Sequence, residues 1–187
     1  MMNLDELAFS GIQYVSVHSL GISQIYLSES KIRNVLTWFR AEDLSCFAPL
    51  PVHDFGNGRL TLTDGHTRAH VACQAGINTI PVVYDNDEIV TSDEGIALYR
   101  NDIAWCDRFH LRSVCDLAER IVGDADYERL WKDRCDVGYH LIVNSSHHER
   151  LLWQKQHSDL FLFGVSRDKQ KLYFENNSGG VFVFKAK

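Results

Sequence analysis

The amino-acid sequence predicts a mixed α/β (α+β) protein, and three observations lead to this prediction. Before about residue 90, short apolar runs of strand type alternate with segments whose apolar residues recur at helical spacing. After residue 90, helical segments are followed by three aromatic-rich runs separated by polar turns. The 187 residues, of which 45% are hydrophobic, suffice to bury a core. We expect an α/β unit over 1–90 and an α+β elaboration over 91–187, which either packs with the first as one domain or stands apart.

The first half begins with a predicted strand in "IQYVSVHSL". A helix is expected to follow, with Ser28 or Ser30 as its N-cap, because small hydroxyl side chains accept hydrogen bonds from first-turn N–H groups. Its apolar residues recur at i, i+3, i+4 and i+7 and predict one stripe against a sheet: Ile32, Val35, Leu36 and Phe39.

A hairpin and a second strand–helix–strand run complete this half. "PLPVHDF" and "RLTLT" read as paired strands around a tight turn at "GNG". A helix is predicted from His66 to Ala75, and Gly76 ends it because glycine readily adopts the left-handed conformation that follows many helices. "TIPVVYD" reads as the closing strand.

The second half starts with an S-x-x-D signature, Ser113 and Asp116, which predicts a helix start at "SVCDLAERIV". Asp124 is the expected cap of the next helix, whose Leu130, Trp131 and Cys135 share a stripe. "DLFLFGV", "KLYFE" and "GVFVFK" predict an antiparallel meander, and their aromatic residues favour core packing and a homodimer surface.

Composition limits the classes of partner. The net charge of −6 provides no overall positive field for nucleic acid or anionic lipid. The first ten residues lack a basic region, and no apolar run approaches the ~18 residues of a membrane span, so we expect a cytoplasmic protein without membrane partners. Five widely spaced cysteines without C-x-x-C are interpreted as reduced thiols rather than a disulfide framework or a zinc knuckle.

The polar box Asp64–Arg68 stands where a predicted strand ends and a helix begins. Free N–H groups at a helix start bind anions, glycine permits close approach, and the Thr67 hydroxyl and Arg68 guanidinium add donors for phosphate. Asp64 would repel a bare phosphate unless it holds Arg68, orients a metal, or takes a proton from an attacking hydroxyl. The alternative is structural, with Asp64 as a helix cap and Arg68 as a solvated side chain.

The run "LTDGHTRAHVACQAGINTIPVV", preceded by "IYLSESKIRNVLTWF" and "PLPV", resembles the ParB/sulfiredoxin superfamily. There, a strand, a glycine-containing box and a helix precede an "aG…ipv" segment, and the box binds nucleotide phosphates. The similarity covers roughly residues 12 to 86. It implies a nucleotide-binding unit over 1–90, with Gly65, His66, Thr67 and Arg68 contacting the nucleotide.

The resemblance is unequal among the branches of that superfamily. Sulfiredoxins carry a catalytic cysteine in a G-G-C-H-R box, and His66 stands at that position, so sulfinic-acid repair is not expected. Partition proteins carry G-E-R-R-x-R, of which the box here keeps the glycine, Gly65, but only one of the three arginines, Arg68. The helices expected over 113–143 also hold more acidic than basic residues, so we expect no sequence-specific DNA binding.

The free-serine kinases, with a D-G-H-H-R box, are the nearest in pattern. The resemblance implies ATP or ADP, with CTP as a further option, and Mg²⁺ as cofactors. It makes Glu29, in "LSESKI", the candidate for proton transfer and Asp64 the candidate for metal or substrate positioning. Phosphoryl transfer to a small hydroxyl metabolite such as serine is the expected reaction. The alternative is a non-catalytic nucleotide-sensing module, or a ParB-like module associated with a partner or DNA.

Three other patterns are weaker. His66 and His70 have the i, i+4 spacing of zinc ligands but lack an evident third ligand. "NSSHHER" at 144–150 is interpreted as a polar loop, because neighbours in sequence seldom face one another as a catalytic triad must. "IAWCDRFHLR" at 103–112 mixes aromatic and cationic side chains, which suits either a nucleotide or an exposed helix edge over a core. Within it, Cys106 beside Arg108 is a candidate reactive thiol only if it is exposed.

Overall fold

The structure, a computed structural model, describes residues 11–143, 160–165, 171–176 and 181–185. It combines helices with a mixed four-stranded sheet, which confirms the predicted mixed α/β fold class. The chain divides into two compact units, Met1–Gly123 and Asp124–Lys187. Within the described residues, no helix combines the length and the apolar character that crossing a bilayer requires.

The central sheet has four strands, β1 (Ile12–Ser16), β3 (Leu50–Asp54), β4 (Leu60–Leu62) and β5 (Thr79–Tyr84), in the order β1-β5-β3-β4. β3 runs parallel to β5, whereas the β1–β5 and β3–β4 pairs are antiparallel. Every one of these strands lies within a segment that the sequence predicts to be extended. Because β3 and β5 are parallel, the chain must cross over between them, and the helix of this crossover lies between β4 and β5 in sequence. The candidate site lies at the start of that helix.

A short strand, β2 (Leu27–Ser28), leads directly into helix α1 (Glu29–Trp38). The Ser28 hydroxyl accepts a hydrogen bond from the Lys31 N–H at 3.2 Å, so the cap is Ser28, the first of the two predicted serines. The predicted apolar stripe holds only in part. Val35 and Phe39 are buried, but Leu36 is 56% exposed and lies outside the packed face.

The predicted hairpin turn is present and depends on one carboxylate. Asp54 accepts hydrogen bonds from the N–H groups of Gly56, Asn57 and Gly58 at 2.9 to 3.1 Å. These bonds, led by that from Gly56, lower the pKa of Asp54. Both glycines have positive φ, which explains why glycine occupies the first and third positions of the "GNG" turn.

Helix α2 (His66–Gln74) carries the polar box at its N-terminus. Ala75 caps its C-terminal end, and Gly76 follows at φ +77°, as the sequence predicts. α2 therefore begins beside the end of β4 and returns the chain to β5.

Residues 91–123 belong to the first compact unit, although the sequence pattern predicts a division near residue 90. They form helix α4 (Asp93–Arg108), which follows the short helix α3 (Glu88–Thr91), and a 3-10 helix (Val114–Arg120). Trp105, Val114 and Leu117 are buried. This segment supplies core side chains to the first unit, and the boundary between the two units therefore lies after Gly123.

The predicted capping box forms, but it begins a different helix type. Asp116 accepts hydrogen bonds from the N–H groups of Arg112 and Ser113, both at 2.8 Å, and the box is complete. The segment that follows is a 3-10 helix rather than an α-helix, and it ends at β6 (Ile121–Val122), which pairs with β2 in parallel.

The second unit contains a helical run and a meander. Helix α5 (Asp124–Tyr127), a π-helical segment (Glu128–Lys132) and helix α6 (Asp133–Val143) follow one another. Strands β7 (Leu160–Val165), β8 (Lys171–Asn176) and β9 (Val181–Lys185) pair antiparallel in chain order, as predicted. The "NSSHHER" segment lies outside the described residues.

Two of the five cysteines form a disulfide, which contradicts the prediction that all five are reduced. Cys73 on α2 and Cys115 in the 3-10 helix form a disulfide with their Cα atoms 5.9 Å apart, so these two are not the reduced packing thiols that the spacing indicated. The two residues are 42 positions apart, and no short motif announces the pairing. Cys106 is almost fully buried, which removes it as the reactive thiol considered above.

Arg59 joins three parts of the first unit, and its loss should destabilise that unit. Its guanidinium donates to the carbonyl oxygens of Ser19, Leu20 and Arg112 at 2.9, 2.9 and 2.7 Å. We expect Arg59→Lys to lower the free energy of unfolding by about 1–2 kcal/mol, because a lysine keeps the charge but cannot reach three carbonyls with a fork. Urea denaturation followed by tryptophan fluorescence measures this change.

Arg33→Lys is the matched control. Arg33 contacts the exposed Glu29 at 2.8 Å, and such surface pairs contribute at most about 1 kcal/mol. Equal losses in the two variants would contradict the structural role assigned to Arg59.

Candidate functional site

A groove of about 280 Å³ lies between α1 and the N-terminus of α2. Five of its lining residues are the polar box Asp64–Arg68, and the others come mainly from α1: Gln24, Lys31, Asn34, Val35 and Trp38. The box thus faces an open space large enough for a ligand. Because ligand pockets commonly occupy roughly 300 to 1,000 Å³, the groove suits a small anion or part of a larger molecule.

Gly65 shapes the start of α2. It is the N-cap and adopts a left-handed conformation with φ +78°. A Cβ atom at this position would lie 2.7 Å from the Leu50 side chain and 3.0 Å from the Arg68 guanidinium. Only glycine therefore fits the turn, for conformational and for steric reasons. Asp64 is not the N-cap, which removes the structural alternative in the form the sequence suggested.

The first helical turn presents backbone donors. The first hydrogen bond of α2 runs from the Ala69 N–H to the Gly65 carbonyl at 3.0 Å. The N–H groups of His66, Thr67 and Arg68 precede it and so lie outside the helical ladder. Gly65 has no side chain to cap them. Such a helix start attracts anions through its N–H groups and its dipole.

His66 is buried beneath the groove rather than exposed in it. The side chain is 4% exposed, and its Nε2 atom accepts a hydrogen bond from the Ser23 N–H at 3.1 Å. An amide can only donate, so Nε2 carries no proton and the imidazole is neutral. Burial lowers the pKa of His66 to about 4, and the nearby Asp64 carboxylate opposes this only in part. His66 therefore fixes the helix start but brings no positive charge to a phosphate near neutral pH.

The buried segment around Gly21 brings Ser23 to His66. Gly21 donates to the Leu60 carbonyl at 2.8 Å and accepts from the Leu62 N–H at 3.0 Å, which adds this segment alongside β4. The Ser23 hydroxyl donates to the Leu62 carbonyl at 2.9 Å. The register of the segment against β4 therefore determines where the Ser23 N–H points.

Two cations and one carboxylate line the groove. Arg68 is 24% exposed, donates to the Ala48 carbonyl at 3.2 Å, and lies 3.9 Å from the Asp64 carboxylate. The Asp64 side chain is 83% exposed. With Lys31 included and His66 neutral, the lining residues carry a net charge of +1, whereas the chain carries −6. The groove is therefore locally suited to an anion.

Glu29 does not share this groove with Asp64. It lies in the first turn of α1, and its carboxylate contacts Arg33, one turn further along, at 2.8 Å. It is absent from the residues that line the groove. Of the two candidate acids, the structure thus brings only Asp64 to the helix start.

The two other sequence patterns within the described residues, the His66–His70 pair and the 103–112 segment, consist of side chains that pack against the protein itself. His70 is buried, and its Nδ1 atom contacts the Val114 carbonyl at 2.7 Å, so each histidine of the i, i+4 pair has a separate partner. In the 103–112 segment, Trp105 and Cys106 are buried. Phe109 faces the Arg120 guanidinium at 4.6 Å rather than a ligand space. This segment matches the helix-edge alternative.

Two residues of the site, Lys31 and Ser23, are not predicted by the sequence. Lys31 follows the Ser28 cap by three positions, so its place in the first turn of α1 could have been inferred, but not that this turn faces the box. Ser23 left no local signal, because its contact with His66 spans 43 positions.

Comparison of the chain with models of known protein families and with curated protein sequences gives no match.

The buried His66 predicts a specific acid sensitivity. Its pKa is lower in the folded chain, about 4, than the 6.5 of an exposed histidine. Between these values the unfolded chain binds a proton that the folded chain does not, so stability falls as the pH falls from 6.5 towards 4. We expect wild type to lose roughly 3 kcal/mol more over this interval than His66→Gln, which keeps an acceptor but does not titrate. Urea denaturation at a series of pH values gives both slopes.

His110→Asn serves as the control for removing a histidine. His110 is exposed and has φ 58°, a conformation that asparagine tolerates. Its slope should follow that of wild type. If His66→Gln also follows wild type, the neutral buried imidazole is refuted.

Proposed function

We propose that the groove binds the phosphate chain of a nucleotide, ATP or ADP in the first instance and CTP as a further option. The observation that carries this proposal is the convergence of four features on one space. A left-handed glycine, the N–H groups of the first turn of α2, Arg68 and Lys31 all border the same groove. Each is a known element of phosphate binding, and together they supply both donors and charge.

The groove volume favours the phosphates over the whole nucleotide. About 280 Å³ accommodates a phosphate chain, while the base and sugar extend along the open face. Trp38 borders this face and offers an aromatic surface on which a base can stack. The amino-acid sequence contains no P-loop motif, and in this proposal the Gly65 turn at the start of α2 takes its place.

Mg²⁺ fits the groove as a partner of the phosphates. Mg²⁺ in phosphoryl-transfer sites commonly uses one or two carboxylates together with phosphate oxygens. Asp64 is the single carboxylate among the lining residues, and its side chain is exposed to the solvent from which the ion would arrive. When bound, the ion would neutralise phosphate charge.

The reaction that this site suits is phosphoryl transfer to a small hydroxyl metabolite such as serine. Such a transfer requires positioning and charge neutralisation more than covalent chemistry. Arg68 and Lys31 supply charge, and Asp64 either holds Mg²⁺ or takes the proton of the acceptor hydroxyl. The resemblance of the box to the free-serine kinase branch of the ParB/sulfiredoxin superfamily supports this choice. Glu29 would join only after leaving Arg33.

A nucleotide sensor without catalysis is the second candidate. The pairing of Glu29 with Arg33 favours it, because the groove then contains one acid rather than two. A sensor needs the phosphate contacts but no group that activates an acceptor. The two candidates predict the same binding and different turnover.

Loss of Arg68 should weaken nucleotide binding. We expect Arg68→Ala to reduce the affinity for ADP with Mg²⁺ by roughly 1.5–3 kcal/mol, the range for a hydrogen bond to a charged group. Arg68→Lys should lose less, since it keeps the charge but not the fork. Isothermal titration calorimetry measures both.

Arg33→Ala is the control, because it removes the same charge from α1 outside the groove. Its affinity should stay close to that of wild type. An unchanged affinity for Arg68→Ala, in a variant whose circular dichroism matches wild type, would refute the phosphate site.

The effect of replacing Asp64 on turnover distinguishes a kinase from a nucleotide sensor. In a kinase, Asp64→Asn should lower turnover by ~10²-fold while nucleotide affinity changes far less, because the acid acts mainly in the transition state. The assay incubates the protein with Mg²⁺, ATP and a pool of hydroxyl amino acids and detects phosphorylated products. A Mg²⁺ titration distinguishes the two roles of Asp64. If Asp64 holds the metal, Asp64→Asn should need a higher Mg²⁺ concentration for half-maximal turnover. If Asp64 acts as a base, that concentration should stay the same.

Wild-type protein that binds nucleotide but phosphorylates nothing in a broad metabolite pool would favour the sensor. Equal turnover of wild type and Asp64→Asn would exclude Asp64 from the reaction.

A further inference from the structure

A second group of chemically active side chains lies away from the nucleotide groove. The exposed His18 follows β1, and the half-buried Cys73 and Cys115 come from α2 and the 3-10 helix. Their ligand atoms all lie within 4.8 Å of one another. The Cys115 sulfur is 3.4 Å from His18 Nδ1. Imidazole nitrogen and cysteine sulfur are the ligands that zinc prefers.

The spacing of one pair of these atoms matches a tetrahedral metal site. With Zn–S bonds of about 2.3 Å and Zn–N bonds of about 2.0–2.1 Å, two such ligands stand about 3.5 Å apart across a tetrahedral angle. The observed separation between His18 Nδ1 and Cys115 Sγ is 3.4 Å. Reduction breaks the bond between the two sulfurs, which would then separate to about 3.8 Å to share one tetrahedral ion.

The elements that carry the two cysteines are held together independently of the disulfide. His70 on α2 contacts the Val114 carbonyl of the 3-10 helix at 2.7 Å, next to Cys115 in sequence. Val114 and Leu117 are fully buried. The backbone geometry of the cluster should therefore persist after reduction.

We propose that His18, Cys73 and Cys115 bind Zn²⁺ when the two cysteines are reduced, with the fourth coordination position open to water or another ligand. Binding converts two thiols and one Zn²⁺ into a bis-thiolate imidazole complex and releases two protons to solvent. In the disulfide form the sulfurs are bonded to each other and no longer provide thiolates. Metal binding and the disulfide are therefore mutually exclusive states of the same two cysteines.

Reduction by a phosphine supplies the starting state for the test. The phosphine takes one oxygen atom from water to become its oxide, and the disulfide accepts the two electrons and two protons to give two thiols. The reduced full-length protein is then titrated anaerobically with Co²⁺, which replaces Zn²⁺ in such sites and reports its ligands by absorption.

We expect one Co²⁺ per chain, with thiolate-to-cobalt charge-transfer bands and the intense visible bands of tetrahedral coordination. Zn²⁺ should then bleach these bands by displacement. The oxidised protein, which has the same sequence, should show none of them. His18→Gln should keep a thiolate band but bind Co²⁺ at least 10-fold more weakly, because losing only an outer-shell partner of a ligand already costs roughly 10- to 100-fold in affinity.

The cysteine controls are matched. Cys73→Ser combined with Cys115→Ser should abolish the bands, whereas Cys46→Ser, at an exposed free cysteine, should leave them unchanged. Circular dichroism of the double variant is compared with that of reduced wild type, which also lacks the disulfide. The proposal is overturned if reduced wild type shows no thiolate–cobalt band, if the bands persist in the double variant, or if Cys46→Ser removes them. It is also overturned if the oxidised protein gives the same spectrum.

Discussion

The hydrogen bond from the Ser23 N–H to His66 Nε2 determines the geometry on which the candidate site depends. An imidazole that is 4% exposed would be costly without a partner, and this bond supplies one while it fixes the neutral tautomer. It also joins the segment beside β4 to the first residue of α2. Because Gly65 precedes His66 in a left-handed turn, a fixed His66 fixes the start of α2, whose first-turn residues line the groove.

The neutral His66 stabilises the structure of the site without adding charge to it. With His66 neutral, the positive charge of the groove comes from Lys31 and Arg68, and Asp64 reduces it. Arg68 is placed by the Ala48 carbonyl and by its packing against Gly65. The chain is acidic overall, but the residues that line this groove carry a net charge of +1, so an anion would meet a locally favourable field there. The proposed phosphate site therefore depends on local placement rather than on net charge.

Local signals in the sequence predict most of the elements but not the partners that those elements pack against. The glycine turn before α2, the Ser28 cap and the Asp116 capping box each follow from residues within a few positions, and the structure contains all three. The contact of His66 with Ser23 spans 43 positions, and the Cys73–Cys115 disulfide spans 42. Neither has a periodicity or a motif, because both arise from how the elements pack. The family resemblance gives Glu29 a role in proton transfer, but its carboxylate pairs with Arg33 one turn along α1, and Glu29 does not line the groove.

The most direct test of the phosphate site is a ¹H–¹⁵N NMR titration of the backbone amides with ADP and Mg²⁺. If the first turn of α2 binds the phosphates, the amide resonances of His66, Thr67 and Arg68 should shift together and saturate with the calorimetric affinity, the proton shifts moving downfield as hydrogen bonds form. If these three amides stay in place at saturating nucleotide while others shift, or if nothing shifts, the phosphate cradle at Gly65–Arg68 is contradicted.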